Sequence, residues 1–64
     1  MTSKDYTVIA AILNGRIKES DTAERVTREA ARDTVRRIVW ELMPLFEQDN
    51  PRFDRAKFLD AVWA

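Results

Sequence analysis

A chain with one glycine and two prolines in 64 residues has very few places to turn. A sheet-rich fold of this length needs a tight turn after every short strand, made by Gly, Asn-Gly or Pro-containing clusters. Only Asn14-Gly15, Pro44 and Pro51 offer such chemistry here. A few helices need only a few connections, so the expected fold class is all-α. Cysteine and histidine are both absent, which removes disulfides and nearly every structural zinc site as supports. A chain this short forms one domain and buries only about 60% of the surface its unfolded form exposes. Small domains of this kind draw extra stability from disulfides, metals or partner subunits. With the first two gone, a homodimer is the expectation.

Hydrophobic periodicity divides residues 1–64 into three helical segments. The first is expected from Lys4 to Lys18. Tyr6, Ile9, Ala10, Leu13 and Ile17 form its apolar stripe, and Val8, Ala11 and Ile12 widen that stripe beyond one narrow face. Thr2 or Ser3 can cap its start, with Asp5 complementing the positive end of the helix dipole. Gly15 reads as a mid-helix glycine that admits a close neighbour. The connection Glu19 to Thr22 is short enough to force an antiparallel hairpin. Asp21 and Glu24 have the spacing of a capping box for the second helix.

The second helix is expected from Thr22 to Gln48, its apolar positions being Ala23, Thr27, Ala30, Ala31, Thr34, Val35, Ile38, Val39, Leu42, Leu45 and Phe46, small in the first half and large in the second. Pro44 lacks an amide proton and predicts a kink, since the apolar spacing resumes at Leu45. Asn50 before Pro51 is pushed out of the α region and marks the boundary. Asp54 then caps a short third helix from Arg55 to Trp63. The candidate core or dimer positions are Ile9, Ile12, Leu13, Ile38, Leu42, Phe46, Phe58 and Trp63.

The search for chemistry returns little. Without His or Cys there is no imidazole base and no thiolate nucleophile, and a single glycine excludes the Gly-rich phosphate loops. No cofactor, metal site or catalytic residue is expected, and an enzyme is not. Formal net charge is zero, so no global field gathers nucleic acid or an anionic membrane. The opening residues lack the apolar run of a signal peptide. No stretch approaches the roughly 20 apolar residues of a spanning helix. A cytoplasmic location follows as the expectation.

Two surface patterns remain. Arg25, Arg28, Arg32 and Arg36 fall within roughly 80° of one another on a helix. They can contact phosphates or an acidic partner, or they can be a solvated face laced by intrahelical ion pairs, such as Asp21 with Arg25, Glu24 with Arg28, Glu29 with Arg32 and Asp33 with Arg37. The ion-paired face carries the greater weight, because Glu29 and Asp33 flank the row and repel phosphate. Trp40 and Met43 continue the direction of the row: either the kink at Pro44 and the returning third helix cover them, or they form an exposed aromatic patch of the kind that anchors protein partners.

Lys4-Asp5-Tyr6 followed by Ile9-Ala10, together with Asp49-Asn50-Pro51-Arg52-Phe53-Asp54-Arg55 leading to Phe58-Leu59, resembles small orphan proteins of actinobacterial phages. In that group the ending continues to Cys and Gly, where this chain has Val62-Trp63-Ala64. The resemblance spans both ends and implies a phage protein working inside a bacterium; it supplies no binding residues. Taken together, these patterns lead to a protein-interaction module, a helical homo-oligomer that binds a host or phage protein. The alternative is a nucleic-acid-binding accessory protein that uses the arginine row.

Overall fold

The computed structural model describes residues 1–64. It contains three helices and no strand: α1 (Ser3–Ser20), α2 (Arg25–Asp49) and α3 (Arg55–Val62). At the start of α1 the Thr2 amide donates to the Asp5 carboxylate at 2.8 Å. Asp5 thus satisfies one of the free N–H groups of the first turn and places a negative charge at the positive end of the dipole. The helix runs two residues past the expected Lys18, to Ser20.

The expected capping role of Asp21 is corrected. Its amide closes α1 by donating to the Lys18 carbonyl at 3.2 Å, and α2 begins only at Arg25 with Glu24 at its cap position. Once started, α2 continues without interruption through Pro44 to Asp49. Asn50 takes an extended conformation, φ −145° and ψ 109°, and ends it, as the residue before a proline must. Asp54 Oδ1 accepts the Lys57 amide at 3.0 Å and caps α3.

Two contacts set the direction of the first pair. The Tyr6 hydroxyl donates to the Phe46 carbonyl at 3.3 Å, and Arg32 pairs with Asp21 at 3.2 Å, so α1 and α2 are antiparallel. The third helix returns along α1. Asn14 Nδ2 donates to the carbonyls of Val62 (3.0 Å) and Ala64 (3.1 Å), while the Phe53 ring lies 4.7 Å from that of Tyr6. α3 therefore runs parallel to α1, and it packs chiefly on that helix.

The core is one line of buried residues from each helix: Tyr6, Ala10, Leu13 and Ile17; Val35, Val39, Met43 and Phe46; Phe58 and Val62. Its dense end is aromatic. Tyr6, Phe46, Phe53 and Phe58 meet with ring centroids 4.7 to 5.5 Å apart, at tilted or edge-on angles, the geometry that ring quadrupoles favour. The other end has no such core. No residue from Lys18 to Thr34 is buried. The molecule measures 39 × 18 × 15 Å, its long dimension close to the roughly 37 Å of a 25-residue helix such as α2.

Several expected core positions are placed differently. Leu13, Phe46 and Phe58 are buried, and Ile9, Leu42 and Trp63 are partly buried against the core. Ile12 and Ile38 are exposed. Met43, expected beside Trp40 on the surface, is completely buried. Gly15 brings nothing close, since a Cβ at that position would meet no atom within 4 Å. It stands about 180° from Tyr6 around α1, on the side away from the core.

Candidate interaction surfaces

The arginine row does not face away from the core of its helix. With 100° per residue, Val35, Val39, Met43 and Phe46 occupy a sector of about 80°, and Arg25, Arg28, Arg32 and Arg36 fall largely within the same sector. Arg25, Arg28 and Arg32 extend the core line into the first part of α2, where nothing is buried, and Arg36 stands beside buried Val35. The small residues expected to pack, Thr27, Ala30 and Thr34, are the ones exposed. Three of the four arginines have carboxylate partners: Arg25 with Glu29 at 3.0 Å, Arg32 with Asp21 at 3.2 Å, and Arg36 with Asp33 at 3.5 Å. Asp33 also takes Arg37 at 3.0 Å, the one pairing that appears as expected. Arg28 is half-buried and has no such partner.

Two arginines lie over tryptophans. Arg36 is 5.6 Å from the Trp63 ring centroid, and Arg55, paired with Glu47, is 5.8 Å from that of Trp40. Both contacts join α2 to the α3 segment and fall within cation–π range. Trp40 nevertheless remains 57% exposed. The expected pairing of Trp40 with Met43 thus separates into a surface tryptophan and a core methionine.

The opposite flank of the α1–α2 pair is apolar and uncovered. Thr27, Ala30, Thr34, Ile38 and Leu45 lie within about 80° on α2, centred well away from the core line. Between this flank and α1 is a cleft of about 410 Å³ bordered by Leu13 and Arg16 on one side and by Ala30, Thr34 and Ile38 on the other. Ile12 is 61% exposed, and Val8, Ile38 and Leu45 are exposed as well. Nothing in the sequence ranks this flank above the core line, because both have helical spacing. α3 decides between them by lying along the Asn14 and Met43 side.

A polar cluster closes the aromatic end. The Met1 amine donates to Asp49 Oδ2 at 2.8 Å, and the Tyr6 hydroxyl reaches the same oxygen at 3.3 Å. The hydrogen bond from the amine, followed by its charge, holds the Asp49 carboxyl below its ordinary value despite some desolvation. The same hydrogen bond raises the amine above its own ordinary value. Burial, reinforced by the hydrogen bond to Asp49, pushes the Tyr6 phenol up. Neither Asn14 nor Asp49 stood out in the sequence as a tertiary contact. Each is a lone polar residue whose partner lies more than 40 positions away.

No group of three or more carboxylates is gathered as a metal site, and no helix is long and apolar enough to cross a membrane. No protein-family model matches the chain, and neither the curated proteins nor the solved structures contain a significant match to it.

Proposed function

We propose that this chain is a protein-interaction module whose working form is a homodimer, assembled through the uncovered α1–α2 flank. The observation that carries this reading is surplus surface. The chain exposes 4745 Å², about 500 Å² more than a compact monomer of 7.5 kDa is expected to show. The first part of α2, where nothing is buried, and the exposed Ile12, Ile38 and Leu45 contribute to it. A standard interface takes about 800 Å² from each partner, and small side chains such as Ala30 and Thr34 let a second helix approach closely. The kink expected at Pro44 would curve this flank around its partner.

The resemblance to small phage proteins supplies the setting, an accessory protein acting in a bacterial host cytoplasm by binding a host or phage protein rather than by catalysis. The partly exposed Trp40, with Arg55 across its ring, is the anchor left free for that second partner. The nucleic-acid alternative is weakened by the ion pairs along the arginine row. Carboxylates beside Arg25, Arg32 and Arg36 cancel the field that phosphate binding needs.

The test is a charge placed on the flank. Ile38→Lys and Ile12→Lys alter exposed side chains, so each variant keeps its helical circular dichroism. Light scattering at micromolar concentration should give a dimer mass for the parent chain and a monomer mass for the double variant. An unchanged dimer in the double variant rules out this flank as the interface. A gel-shift titration with random duplex at low salt should show no complex.

A further inference from the structure

α3 is anchored to the rest of the fold at its two ends. Asn14 holds the carbonyls of Val62 and Ala64, and Phe53 and Phe58 sit in the aromatic cluster. Between these anchors α1 and α3 face one another across small side chains, Ala10 and Ala61, and a wedge of about 580 Å³ stays open. Tyr6, Phe53 and Phe58 also line it. The volume falls within the range of small-molecule sites, about 300 to 1,000 Å³.

The rim has a definite charge. Arg52 and Lys57 border the wedge, and neither belongs to an ion pair, whereas Arg16, Arg25, Arg32, Arg36, Arg37 and Arg55 all do. Asp54, the carboxylate on this rim, is engaged by the Lys57 amide. The Met1 amine is matched by Asp49. The rim thus carries two cations outside any ion pair against the one carboxylate of Asp54, a net positive charge over a largely aromatic floor.

We propose that this wedge binds a small amphipathic anion: a carboxylate whose short apolar or aromatic body lies on the Tyr6, Phe53 and Phe58 floor, with its head group toward Arg52 and Lys57. A guanidinium presents paired donors that match a carboxylate, and the ring walls match a flat apolar body. The site is independent of self-association. Thr7 and Ala10 place it on the flank of α1 that faces α3, whereas Ile12 and Arg16 face the other way.

The probe is 4-phenylbutyrate, with 4-phenylbutan-1-ol as its uncharged counterpart, each titrated into the native chain and followed by amide ¹H–¹⁵N shifts. The acid should give saturable shifts at Ala10, Phe58 and Ala61 with an affinity near the millimolar range expected for a ligand of this size. It should bind more tightly than the alcohol. Arg52→Glu with Lys57→Glu should weaken the acid at least about fivefold, the loss of two exposed charge contacts plus repulsion, and leave the alcohol within about twofold. Ala61→Phe, which fills the wedge, should weaken both. Equal binding of acid and alcohol by the native chain overturns the proposal whatever the variants do. So do shifts confined to the Ile12 and Ile38 flank, or no saturation by about 10 mM. Light scattering on the same samples reports the dimer separately.

Discussion

Phe46 and Val26 stand on the same helix in opposite situations. Phe46 is buried, with three aromatic rings within 5.5 Å. Val26 is 77% exposed and belongs to a stretch of α2 in which nothing is buried. The difference comes from partners, not from helix propensity. At the Phe46 end α2 is flanked by the start of α1, by the Phe53 turn and by α3. At the Val26 end α1 has already stopped at Ser20, the connection Asp21 to Glu24 runs alongside, and eight-residue α3 does not reach. One end is a folded core and the other is a helix waiting for something to pack against.

That contrast can be broken from its strong end. Phe46→Ala removes the ring common to three of the aromatic contacts and should cost about 3 to 5 kcal/mol. That is most of the stability of a domain this size, so circular dichroism should show a largely unfolded chain at 25 °C. Retention of a cooperative melt near the parent midpoint would mean that the aromatic end does not hold the fold.

Asn14→Ala removes both hydrogen bonds to the end of α3 and should cost about 1 to 2 kcal/mol. Its signature is local. Amide exchange should quicken at Leu59 to Trp63 before it does in α1. Gly15→Ala should act in the other direction and stabilise by about 0.5 to 1 kcal/mol, because the added methyl meets no neighbour and the backbone has no positive φ. A loss of stability there would place an unseen contact on the outer side of α1.

The polar clamp has three shifted groups; the raised Tyr6 phenol acts only at strongly alkaline pH, and the sign of the pH dependence nearer neutrality follows from the other two. Asp49 is lowered in the fold, so its contribution is complete above the ordinary carboxylate range, near about 4, and disappears as pH falls through the lowered value. The Met1 amine is raised, so its contribution is complete below about 8 and disappears as pH rises through the raised value. Melting temperature should therefore be flat between these limits and fall outside them, and Asp49→Asn should flatten the alkaline shoulder. The smallest effect belongs to Val26→Thr, which in the monomer should move the urea midpoint by no more than about 0.5 kcal/mol equivalent.

Much of the architecture was written in local signals. The helix content, the break at Asn50-Pro51 and the Asp54 cap each depend on residues adjacent in sequence. The side of α2 that faces inward did not, because Val35, Val39, Met43 and Phe46 share helical periodicity with the neighbouring line of Ile38, Leu42 and Leu45. Choosing between them requires the position of α3, and that rests on Asn14 meeting Val62 and Ala64 across almost the whole chain. The same error misplaced Met43 and put the arginine row opposite the core. The arginine row itself was legible. Its ion pairing was right in kind but wrong in partner, because Asp21 belongs to the end of α1 and reaches Arg32 across the turn.

The central claim is that the bare half of α2 and its apolar flank are completed by a second copy of the chain. Sedimentation equilibrium of the native protein across the micromolar range measures this without labels or variants. The account predicts a mass that rises with concentration toward about twice the 7.5 kDa of the chain. A single species of 7.5 kDa at every concentration would contradict it.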